Sequence, residues 1–140
     1  MKEKITIELF GNSYELYYST KTMLDVEKHC ESIEKLGDWL QEGKNEERQR
    51  KLMLVLIDMI NGGIYKHNCE VALGLSTEEK KNFMSDDMAD MLMGILSVKQ
   101  INSYQSLILK AMNDGEEVQI PAGVPEPDPD LADVQSEKNE

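Results

Sequence analysis

Nowhere in the 140 residues does an apolar stretch approach the ~20 positions that a membrane helix needs; the best run, 52–57, is cut by Asp58. Met1-Lys2-Glu3-Lys4 leads straight into an alternating pattern, without the apolar segment of a secretory leader. A soluble, cytoplasmic protein is therefore expected. Cysteine is scarce too. Cys30 and Cys69 allow one bridge at most and match no disulfide framework, so both read as free thiols in a reducing compartment. Basic residues are outnumbered 15 to 27, and the only basic cluster is Arg48-Gln49-Arg50-Lys51. Nucleic-acid binding depends on a positive footprint that displaces counterions, which argues against DNA or RNA as a partner. GxSxG, P-loop and dinucleotide glycine patterns are all missing, and neither cysteine sits in a nucleophile signature. A catalytic centre is not expected.

The acidity that is present is unevenly spread. Of the formal net charge of −12, residues 114–140 carry −8, from nine acids and one lysine. Prolines at 121, 125, 127 and 129 fall in the same stretch, which has few bulky apolar residues to offset its ordering entropy. The expected organisation is a folded domain over 1–113 and a disordered acidic tail over 114–140.

At the other end, Ile5, Ile7 and Leu9 alternate with Lys4, Thr6 and Glu8, and Tyr14, Leu16 and Tyr18 continue the alternation after Gly11-Asn12. A two-residue loop at Gly11-Asn12 sets Leu9 opposite Tyr14, Ile7 opposite Leu16 and Ile5 opposite Tyr18. All six then share one face. A lone hairpin is marginal in water, so that face must lie on helices or on a partner. Helical spacing follows in Met23, Val26, Cys30 and Ile33, with Ser19 or Thr20 as the cap and Gly37 as the stop; Trp39 is expected at the core edge. A second helix starts near Glu46 and runs through Leu52, Leu56 and Ile60 to Asn61-Gly62-Gly63. Two glycines cost ~1 kcal/mol each in a helix, which marks either a kink or a close helix–helix contact. Ser76-Thr77-Glu78-Glu79 has capping-box spacing for a short helix to Met84. Ser85 caps another with the stripe Met88, Met91, Leu92 and Ile95, and a last helix carries Ile101, Tyr104, Ile108 and Met112. The fold class is α+β, mainly α: an N-terminal β-hairpin packed on about four to five helices.

Three constellations resemble chemistry. Asp86-Asp87-Met88-Ala89-Asp90 has the DDxxD spacing of a magnesium-binding helix, but the second acidic motif and the large cavity are missing. His29-Cys30 and His67-Asn68-Cys69 contain zinc-type donors, yet helical neighbours diverge by ~100° and cannot easily share one ion. The simpler arrangement puts the cysteines inward and the histidines outward. Glu31-Ser32-Ile33-Glu34 is half of a pyrophosphohydrolase motif whose other half is absent. No metal, cofactor or catalytic residue is expected. The positive signal is methionine, nine in all, with Met84, Met88, Met91 and Met93 clustered. Methionine fills small cores and also adapts to varied partners. These four are the candidate partner-binding residues, and Met93, which lies off the stripe, is the one expected at the surface.

The order of elements resembles the tail assembly chaperones of long-tailed bacteriophages and prophages of Gram-positive hosts. The resemblance lies in Ile5-Thr6-Ile7-Glu8-Leu9-Phe10-Gly11-Asn12-Ser13-Tyr14-Glu15-Leu16, the helix from the Thr20 region, and Leu54-Val55-Leu56-Ile57-Asp58-Met59-Ile60-Asn61-Gly62-Gly63-Ile64. It extends over about residues 4–113, as a pattern more than a motif, and the acidic C-terminal end is similar as well. It implies a non-enzymatic factor in the host cytoplasm that binds the tape measure protein, helps recruit tail tube protein, and is absent from the mature virion. Homo-oligomerisation is compatible with it. Composition alone suggests a different class, a small acidic regulatory module that occupies a basic partner as a nucleic-acid mimic or anti-repressor.

Overall fold

A computed structural model describes residues 4–116. It is mainly helical, with an antiparallel hairpin, β1 (Thr6–Leu9) and β2 (Asn12–Glu15), at its N-terminal end. Then follow α1 (Thr20–Cys30), a 3₁₀ turn (Ile33–Lys35), α2 (Leu36–Gln41), α3 (Asn45–Ala72), α4 (Met88–Ile95) and α5 (Val98–Glu116). Residues 117–140, most of the expected tail, lie outside the described part; residues 114–116 continue α5.

The hairpin's apolar face is as expected, but its register is two residues away. Leu9 pairs with Asn12 and Ile7 with Tyr14, and the loop is Phe10-Gly11. Both loop residues have positive φ, 55° and 79°, as a primed turn demands, with glycine in the second place. A shift of two keeps every side chain on its original face. Ile5, Ile7, Leu9, Leu16 and Tyr18 are all buried.

That face closes on α3, which runs 28 residues without a break. Asn61-Gly62-Gly63 is therefore not a kink. A Cβ at Gly62 would meet the Tyr17 carbonyl oxygen and the Thr22 hydroxyl, and one at Gly63 would meet the Glu15 carbonyl. The expected alternative, a close helix–helix contact, is present at Gly62 through Thr22 of α1, and beside it Gly62 and Gly63 also take the backbone at and just after β2. The Tyr17 N–H donates to the Met59 carbonyl (3.1 Å), so the backbone leaving β2 is bonded directly to the helix. Lys66 adds an ion pair to Glu15 (3.0 Å) and lies over the Tyr17 ring. At the far end, Gly115 of α5 packs against Tyr18 in the same way.

Two expected boundaries move for local reasons. Ser19 caps α1, its hydroxyl accepting the Thr22 N–H (3.1 Å). The helix ends at Glu31, with φ +76°, and Gly37 falls inside α2 instead of stopping α1. The helix expected over 76–84 does not form. Asn68 bonds both the carbonyl and the N–H of Lys81 (2.9 and 2.8 Å), and Asn61 does the same for Met84 (2.8 Å each). His67 Nε2 sits 2.9 Å from the Glu79 carbonyl oxygen. Backbone groups committed to side chains of α3 are not free for a helical ladder, and the segment lies along α3 as an irregular strap.

The Gly62–Gly63 contact has a measurable cost if filled. Gly62→Ala or Gly63→Ala should destabilise the protein by about 2 kcal/mol or more through overpacking, despite alanine's ~1 kcal/mol helix advantage. Gly37→Ala and Gly94→Ala, where a Cβ meets nothing, should be neutral or stabilising by up to ~1 kcal/mol. Urea unfolding midpoints of the four variants check this. Similar behaviour of all four would contradict the close approach.

Candidate binding surface and a buried carboxylate

The four candidate methionines divide between core and surface. Met84, Met88 and Met93 are half-buried and pack against the core, while Met91 is 58 % exposed. The surface residue is thus Met91, not Met93. Helix α4 buries Ala89 and Leu92, which turns Met91 and Ile95 (60 % exposed) outward together at i, i+4. Val98, at the start of α5, is also exposed. Asp90 is the only charged residue on α4, and Arg50 of α3 holds it at 2.8 Å. Ser97 and Gln100 form a reciprocal cap at the start of α5: the Ser97 N–H donates to Gln100 Oε1 (2.9 Å) and the Gln100 N–H to the Ser97 hydroxyl (3.1 Å). That S-x-x-Q signature was readable in the chain and fixes where α4 gives way to α5.

The second feature lies on the opposite pairing, between α1 and α3. Thr22 meets Gly62, and further along α1 His29 meets Asp58, one turn earlier on α3, so the helices run antiparallel. Asp58 is 6 % exposed among fully buried Val55, Ile57 and Met59. His29 Nε2 lies 3.2 Å from Asp58 Oδ2. The distance suits an ion pair but the direction does not suit a hydrogen bond, and Oδ2 has no hydrogen-bond partner among the described residues. The His29 ring is stacked on Trp39 (5.9 Å between centroids, 15°), and Lys51 Nζ lies over the Trp39 ring as well (5.1 Å), donating to the Trp39 carbonyl (2.8 Å). Trp39 therefore occupies the core edge, as expected. Asp86, exposed in the turn before α4, completes the group: one donor atom from each of His29, Asp58 and Asp86 lies within 4.8 Å of the others.

The sequence pairings do not come together. Among the described residues this is the one group of three or more potential metal donors, so His29-Cys30 and His67-Cys69 form no common set. Cys30 is buried and Cys69 exposed, both free. Burial, then the Glu27 carboxylate, pushes the Cys30 thiol up, which keeps it protonated and unreactive. Both histidines lean on protein groups instead of facing solvent: His29 on Asp58, and His67 on Glu79 with Glu78 nearby. Asp86 and Asp90 go to different partners. Asp58, the central residue, appeared in the sequence only as the charge that ends an apolar run.

Burial, and after it the carboxylates of Asp86 and Asp25, push the Asp58 carboxyl up to about 7, with Lys28 opposing. The cost of removing this charge from water thus exceeds what nearby cations return. Asp58→Asn, which keeps the shape and drops the charge, should stabilise the chelator-treated protein at neutral pH by about 1–3 kcal/mol. Thermal or urea unfolding checks this. Destabilisation would mean that the attraction between His29 and Asp58 dominates.

Comparisons with protein-family models, with curated proteins and with solved structures returned no match to this chain.

Proposed function

We propose that the protein is a non-enzymatic assembly chaperone of the phage-tail type, which holds the tape measure protein and helps recruit tail tube subunits in the host cytoplasm. The family part rests on the sequence resemblance, and the hairpin-led, mainly helical architecture is compatible with it. The carrying observation is α4. Seven of its eight residues, Met-Ala-Asp-Met-Leu-Met-Gly-Ile, are uncharged and mostly apolar, yet Met91 and Ile95 face out of the fold. A helix that is apolar all round is ordinarily enclosed on all sides, so the outward face of α4 is suited to a second apolar surface. Methionine there adapts to irregular clients, and a long helical tape measure protein presents many similar apolar stripes rather than one unique epitope.

The chaperone reading makes binding hydrophobic and tolerant of salt, whereas an acidic mimic would lose its basic partner as salt is raised. Co-expression with the tape measure protein should increase the client's soluble fraction, and the complex should survive high salt. Met91→Lys combined with Ile95→Lys should abolish both effects while moving stability by no more than about 0.5 kcal/mol per site, as exposed positions do. A client whose solubility and pull-down are the same with and without the wild-type protein would remove the reading. Binding that collapses with salt would favour the acidic module.

A further inference from the structure

We propose that His29, Asp58 and Asp86 form a binding site for a single divalent transition-metal ion, with zinc as the best match. The three donors come from three separate elements, α1, α3 and the turn before α4, and their ligand atoms lie within 4.8 Å of one another. Zinc bonds of ~2.0–2.1 Å in a tetrahedron place adjacent ligands roughly 3.3 Å apart. His29 Nε2 and Asp58 Oδ2 are already at 3.2 Å. That short approach is not used as a hydrogen bond, which leaves a carboxylate oxygen buried in an apolar helix surface with no hydrogen-bond partner among the described residues. Buried polar atoms without partners are uncommon in native folds, and a cation between the imidazole and the carboxylate would account for this one.

The donor set also selects the kind of ion. Calcium and magnesium take six or more oxygen ligands and keep several waters, while imidazole with few carboxylates suits zinc and its neighbours. Two carboxylates and a neutral imidazole balance a double positive charge. Asp58 and His29 are held from behind, the first by the packing of α3 and the second by the Trp39 stack, so their atoms are positioned before any ion arrives. Asp86 stands exposed at the rim, where it can close over an ion entering from solvent and leave the fourth position to water. Such an ion would tie α1 and the approach to α4 onto α3.

Isothermal titration of the full chain, stripped with chelator, with zinc chloride tests this. One saturable equivalent is expected, together with a rise in Tm that magnesium does not produce. Asp86 is exposed and repels Asp58, so Asp86→Asn should leave the metal-free Tm unchanged or slightly raised, never lowered. The same substitution should weaken zinc binding by at least about tenfold, since even changes behind the ligands cost that much. Substituting cobalt should give a visible d–d absorption in the wild type that His29→Gln removes. Weak uptake of several equivalents that Asp86→Asn and His29→Gln leave unaltered would be binding to surface acids, and would overturn the proposal. So would the absence of any saturable binding. Client solubilisation is a separate readout, and its loss or retention in these variants bears on the chaperone reading and not on the site.

Discussion

The fold depends on one close approach: the backbone that leaves β2 lies directly on α3 at Gly62 and Gly63. Carbonyl oxygens of Glu15 and Tyr17 occupy the space that side chains would fill, and the Tyr17 N–H bonds to the Met59 carbonyl. Four-residue strands cannot hold a hairpin in water by themselves. Laid against α3 at this distance, the hairpin buries its apolar face and joins the same core as Leu56, Ile57 and Ile60. Glycine is required here for space, and its usual penalty in a helix is outweighed by the packing that it permits.

With that contact made, α3 becomes the frame on which the other parts are placed. Its polar residues reach out to the elements around it. Arg50 pairs with Asp90 of α4, Lys51 with the carbonyl of Trp39, Asn61 and Asn68 with the backbone of the strap, and Lys66 with Glu15. Asp58 faces α1 through His29. One helix thus sets both the cluster at His29, Asp58 and Asp86 and the orientation of α4 that exposes Met91 and Ile95. The two features are independent in chemistry, one polar and partly buried and the other apolar and open, but they share a scaffold.

Much of this architecture is legible in the chain where a single period dominates. The hairpin face follows from strict alternation, and it survives the two-residue register error because parity is preserved. Helix α5 is equally plain: Ile101, Tyr104, Ile108 and Met112 are all buried. Legibility fails where a tertiary contact decides. Asn61-Gly62-Gly63 has the composition of a helix break, yet the same three residues serve as a clamp and a seat for the strand. Ser76–Glu79 has a helix-start spacing, but Asn61 and Asn68, distant in sequence, take the backbone groups that a helix needs. Helix α4 is short and apolar nearly all round, so the stripe Met88, Met91, Leu92 and Ile95 misplaces its buried face: Ala89 and Leu92 go inward, and Met91 and Ile95 outward. The cluster at Asp58 combines residues 29, 58 and 86, a juxtaposition no local spacing encodes.

Native-state hydrogen exchange of the free protein probes the central contact most directly. If the hairpin and α3 form one unit, the amides of Met59–Ile64 and of Ile7, Leu16 and Tyr17 should exchange together, at the rate set by global unfolding. Protection at Gly62 and Gly63 should equal that of the buried turns on either side. Fast local exchange confined to residues 61–64, with the flanking helix still protected, would mean that α3 opens at the glycines, and would contradict the account.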